Sequence, residues 1–176
     1  MILSTARRSQ IEQQAQKLLG IMQQYDDVFW GVNLEILAAH FGFNVYETEM
    51  PDVLQGDIKV DGNLRVIRVN SNCTYELKRF IIAHEFGHFY TAEDKRSLHI
   101  RESRLDIHVG KQPIEEEMDY FAACILMPAS SFSKAYTYLR QQNYTQISYV
   151  LAKMFSVPVA SAVRRIDELQ LLENNK

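Results

Sequence analysis

His84 and His88 stand four residues apart in Ile81-Ile82-Ala83-His84-Glu85-Phe86-Gly87-His88, with Glu85 directly after the first. Residues four apart lie one turn apart on the same face of a helix. Both imidazoles can therefore face one metal ion, and the neighbouring carboxylate can reach a water bound to that ion. The segment Thr74 to Thr91 is apolar around the motif, with Phe80, Ile81, Ile82, Ala83, Phe86 and Phe89, and predicts a helix buried on most sides. Two buried imidazoles and a carboxylate with no common partner would be costly to desolvate.

A catalytic zinc site uses three protein ligands and keeps a fourth position open. The third ligand is expected on a following helix. Pro113 suits a helix start, and Glu115, Glu116 and Glu117 lie in the first turn after it. The helix dipole alone also favours acidic residues there. Asp119 lies four residues after Glu115 and shares its face. A ligating histidine commonly donates its other N–H to a carboxylate. The preferred set is therefore His84, His88 and Glu115, with Asp119 as the outer partner of a histidine. Glu116 is the alternative ligand, paired by spacing with Tyr120. Glu117 pairs with Phe121, which reads as core.

Four other residues near the motif are weighed for roles. His99 and His108 are expected to be ordinary exposed histidines ahead of alternative ligands or oxyanion stabilisers. Tyr90 and Tyr120 are expected to pack in the core ahead of hydrogen bonding to an oxyanion. No G-x-S-x-G elbow, phosphate-binding loop or dinucleotide fingerprint competes with the metal reading.

The elements that must position this chemistry follow from periodicity. Amphipathic helices are expected at about 5–24, with Ile11, Ala15, Leu18, Leu19 and Met22 on one face, and at 33–41, between Asn33 and Gly42. Strands are expected at 43–49, 57–60 and 64–69, the last two around Asp61-Gly62, which signals a hairpin. They predict a small antiparallel sheet. The polar stretch 93–112 is expected to hold one or two short strands and to border a cleft. Helices at 113–127, 130–142, 145–155 and 158–172 complete an α+β chain. The expected organisation is a minimal zincin-like domain at 1–142 with a helical segment at 143–176 packed on it.

The chain has 176 residues, 47% of them hydrophobic and 23% charged, which is ordinary globular usage and excludes a disordered or coiled-coil protein. The longest unbroken apolar run, Phe121 to Met127, is far short of the ~20 residues that span a membrane. Arg7 and Arg8 are followed by no apolar stretch, so no secretory signal is expected. Cys73 and Cys124 form no C-x-x-C pair and are expected as reduced thiols in the cytoplasm. The net charge of −3 argues against a dedicated nucleic-acid binder. The tail is mildly basic: from Lys134 onward six basic residues face three acidic ones.

At the metal-motif residues the chain resembles the ImmA/IrrE family of zinc metallopeptidases. Arg79 to His88 is similar to that family's "rF-x-x-AHE-x-GH". Glu115-Glu116-Glu117-Met118-Asp119-Tyr120-Phe121-Ala122-Ala123, with Leu126-Met127-Pro128, is similar to its "E-x-E-A-N-x-F-A-A…LLMP". Ile67 to Asn70 and Leu151 to Pro158 also fit. The chain departs at Met118-Asp119, where Ala-Asn is usual, and Asp keeps an acceptor for a histidine. The resemblance implies zinc on His84, His88 and Glu115, with Glu85 as general base. It also implies a partner, a helix-turn-helix repressor that the protein cuts or binds.

Three function classes follow. The first is a zinc-dependent protease of narrow specificity. The second is a zinc-stabilised binding protein, an anti-repressor or antitoxin-like regulator without turnover. The third is a DNA-binding regulator using 145–172, with Arg164 and Arg165 on its second helix. Two adjacent arginines are too few for a phosphate-tracking surface, so this third class ranks last.

Overall fold

The computed structural model describes residues 3–93, the backbone of 97–103, and 113–172. Helix α1 (Thr5–Met22) starts where Ser4 accepts the Arg7 amide and buries Ile11, Ala15, Leu18 and Met22 along one stripe. Helix α2 (Leu34–His40) starts at Asn33, whose side chain accepts from the Glu35 and Ile36 amides. Helix α3 (Tyr75–Thr91), capped by Thr74, carries the metal motif. Helix α4 (Pro113–Leu126) carries Glu115 and Asp119. Helices α5 (Ala129–Gln141), α6 (Ile147–Phe155) and α7 (Val159–Glu168) follow.

The sheet holds β1 (Asn44–Thr48), β2 (Leu54–Asp61), β3 (Leu64–Asn70) and β4 (Ser97–Ser103) in the order β1-β3-β2-β4. Residues Gly62 and Asn63 join β2 to β3, and Asp61 pairs with Leu64 as the hairpin signal requires. The expectation of a purely antiparallel sheet is corrected at one edge: β1 runs parallel to β3, with Asn44 opposite Val66 and Thr48 opposite Asn70. The reason lies in the connection after β1. It passes the end of β3, so that β2 begins on the far side. The Asn70 amide donates to the carbonyls of Met50 (3.2 Å) and Leu54 (2.9 Å) and pins that crossing.

The core forms where α3 meets the sheet on one side and α4 on the other. Phe41, Phe43, Phe86, Phe89 and Tyr90 make mostly edge-to-face contacts there, and Tyr90 also meets Phe121. Leu139 of α5, Leu151 and Phe155 of α6, and Ala162 and Ile166 of α7 belong to the same apolar cluster. Helix α7 is shorter than its sequence pattern. Gln170 adopts a left-handed φ of 54° and Leu171 returns its amide to the Ile166 carbonyl, so the chain turns and packs Leu171 on the core. Neither cysteine is in a disulfide, and burial pushes the Cys124 thiol up to about 11, which keeps it protonated. Among the described residues no helix is long and apolar enough to cross a membrane.

The loop before α2 runs against the end of α4, where the Val32 amide donates to the Ile125 carbonyl at 2.9 Å. Gly31 adopts a φ of +92° there, and a Cβ on it would lie 2.3 Å from the Leu126 carbonyl oxygen. Both the backbone conformation and the space exclude a side chain. Gly31→Ala is expected to lower stability by about 2–4 kcal/mol. A urea unfolding midpoint unchanged from wild type would refute this reading of the loop.

Candidate metal centre

Helix α3 supplies His84 and His88 from one face, and α4 crosses that face with Glu115 one turn before Asp119. His84 Nε2 lies 3.2 Å from His88 Nε2 and 2.9 Å from Glu115 Oε2, and the latter oxygen lies 3.5 Å from His88 Nε2. Three potential ligand atoms thus converge within 4.8 Å of one another. Tetrahedral zinc with bonds of about 2.0–2.1 Å holds its ligand atoms roughly 3.3 Å apart. The spacing and the N, N, O donor set both fit such an ion.

The tautomer is set from the other side of the ring. His84 Nδ1 lies 2.9 Å from Asp119 Oδ1, and a carboxylate can only accept, so Nδ1 carries the proton. Nε2 faces His88 and Glu115: protonated, it donates to the Glu115 carboxylate in the metal-free cluster, and deprotonated it offers its lone pair to a metal. Both imidazoles are buried, whereas the Glu115 side chain keeps 16% exposure, so the cluster meets solvent on the α4 side. Burial pushes the Glu115 carboxyl up. Hydrogen bonds and charge from His84 and His88 more than reverse that and hold it well below the usual carboxylate range. The Glu115 carboxyl is therefore ionised at neutral pH, as a metal-binding carboxylate must be.

Glu85 is fully buried beside this cluster, on the side of α3 that faces β2. The strand approaches so closely because residue 56 is glycine. A Cβ there would come to 2.5 Å from Ile81 Cγ2 and 3.6 Å from Glu85 Oε1. The β2–β4 register is irregular between Leu54 and Gly56, the kind of break that a strand glycine marks. Sequence reasoning passed over Gly56, although a lone glycine within a strand pattern was the signal available.

The other carboxylates of α4 differ in their surroundings. Glu117 is engaged by Arg7 of α1 through two hydrogen bonds of 2.8 and 2.6 Å. Neither it nor Glu116 belongs to the three-ligand cluster found among the described residues. The Tyr120 hydroxyl donates to Glu12 of α1, and the Tyr90 ring stacks on Phe86, so both aromatics pack in the fold as expected. His99 lies on β4, of which only the backbone is described, and His108 lies outside the described residues. The two tail arginines turn toward the body. Arg165 is buried and donates to the Met127 carbonyl at 3.2 Å. Arg164 reaches Glu168 at 2.8 Å and Asp119 at 3.5 Å.

A small sheet, a helix bearing two histidines one turn apart and a crossing helix bearing a carboxylate define a minimal zincin-like fold. Residues 38–167 match Peptidase_M78, the IrrE N-terminal-like domain, and the chain belongs to that metallopeptidase family. No curated protein matches the sequence. A solved Mycobacterium tuberculosis transcriptional regulator is similar in structure, with a TM-score of 0.57 and 18% identity over 93% of this chain and 47% of that one. At that identity the likeness concerns the fold, and the chain spans about half the length of that regulator.

Proposed function

We propose that this protein is a zinc-dependent peptidase that cuts a partner helix-turn-helix repressor in the cytoplasm. The observation that carries the reading is the convergence of His84 Nε2, His88 Nε2 and Glu115 Oε2 beside the buried Glu85. Zinc at this site would lower the pKa of a bound water towards about 7 and polarise the scissile carbonyl. Glu85 takes the proton of the attacking water and passes it to the leaving amine. Asp119 keeps His84 in the tautomer that ligates. No covalent intermediate with the protein is needed.

The repressor as substrate is supported by the family, through the resemblance of the two motif blocks. DNA itself is a poorer partner for this chain. Its net charge is −3, and Arg164 and Arg165 face carboxylates and a backbone carbonyl.

The test is incubation of the zinc-loaded protein with the helix-turn-helix regulator encoded beside its gene. One discrete cut is expected, abolished by 1,10-phenanthroline and restored by added zinc. Tight binding without cleavage at any zinc concentration would sink the peptidase reading in favour of a zinc-stabilised anti-repressor.

A further inference from the structure

Asp119 uses its two oxygens in opposite directions. Oδ1 accepts from His84 Nδ1 at 2.9 Å, while Oδ2 lies 3.5 Å from Arg164 Nη1. Arg164 belongs to α7, on a different element from the ligands. It is itself held: its Nε donates to Glu168 Oε1 at 2.8 Å. Glu168 is almost fully buried and also faces Arg165, whose guanidinium is anchored on the Met127 carbonyl just beyond α4. A run of alternating charges therefore leads from the imidazole to the buried root of α7.

We infer that Arg164 is a positioning residue of the metal centre, which makes the C-terminal helix α7 part of that centre. The inference rests on the reading of His84, His88 and Glu115 as metal ligands. A carboxylate rotates easily about its last torsion, with a broad two-fold preference. The ion pair from Arg164 to Oδ2 biases that torsion toward the orientation in which Oδ1 faces His84 Nδ1. An acceptor in that place fixes the tautomer and raises the basicity of the ligating nitrogen. The guanidinium also places a positive charge near a cation site, which opposes binding. The Asp119 carboxylate lies 3.5 Å from that charge, whereas the ion would sit on the far side of the His84 ring, so solvent and salt screen the repulsion more than the contact with Asp119. Orientation is therefore the larger effect.

The test measures zinc affinity by competition with a chromogenic chelator, for the wild type, Arg164→Ala, Arg164→Lys, Asp119→Ala and the Arg164→Ala/Asp119→Ala double variant. Losing a direct outer partner of a ligating histidine costs about 10–100-fold in affinity, and Asp119→Ala is expected there. Arg164→Ala acts one step further out, and a loss of roughly 3–10-fold is expected, partly restored in Arg164→Lys. In the Asp119→Ala background, loss of Arg164 is expected to cause no further loss of affinity, because the route through Asp119 is already cut. The visible absorption of the cobalt-loaded form is expected to change in Arg164→Ala while the melting temperature of the metal-free protein does not. Equal zinc affinity of wild type and Arg164→Ala overturns the inference and leaves the ligand reading intact. Additive losses in the double variant overturn it too, since Arg164 would then act by another route. A wild type that takes up neither zinc nor cobalt overturns both readings together.

Discussion

Glu85→Gln is expected to lower the rate of peptide-bond hydrolysis by about 10²–10⁴-fold, the usual contribution of a positioned general base, while zinc stays bound. Glutamine has the size of glutamate but cannot take up the water's proton. Size matters at this place, because Glu85 is fully buried and β2 passes close by at Gly56. Zinc retention follows because the converging ligand atoms come from His84, His88 and Glu115. Single-turnover cleavage of the proposed repressor substrate, with zinc content measured on the same samples, checks both halves. A variant that cuts at the wild-type rate would remove Glu85 from the mechanism. A variant that loses its zinc would make Glu85 part of the ligand set instead.

The second large effect concerns metal binding. Glu115→Ala is expected to weaken zinc by more than the roughly 10–100-fold that loss of an outer partner costs, since it removes one of three direct donors. Hydrolysis is expected to disappear at zinc concentrations that saturate the wild type. The thermal stabilisation that zinc gives by binding the folded state is expected to disappear with it. Glu116→Ala serves as the comparison, because Glu116 lies outside the cluster. Differential scanning fluorimetry with and without zinc reads all three proteins. An equal zinc response in Glu115→Ala and wild type, with loss in Glu116→Ala, would move the third ligand by one residue.

The helices were legible in the sequence to within a few residues, because each carries its own instructions. Ser4, Asn33 and Thr74 cap three of them with their side chains, and Pro113, Pro128 and Pro158 stand at the starts of three more. The overrun at α7 has a tertiary cause. The chain turns at Gln170 so that Leu171 packs on the core, and the apolar pattern continues past the last helical turn. The hairpin of β2 and β3 was legible for the same local reason as the caps, since a two-residue turn joins neighbouring strands.

The candidate site divides in the same way. Spacing by four placed His84 with His88 and Glu115 with Asp119, because a helix converts that spacing into one face whatever surrounds it. That alone narrowed the acidic run Glu115-Glu116-Glu117 to a preferred member, since only Glu115 has an acidic residue four positions on. Three things required the tertiary structure: the parallel seat of β1 on β3, the close passage of Gly56 over Glu85, and the contact of Arg164 with Asp119. Each joins residues from separate elements. Periodicity says which face of an element is buried, but only the packing of the whole chain decides which other face it meets.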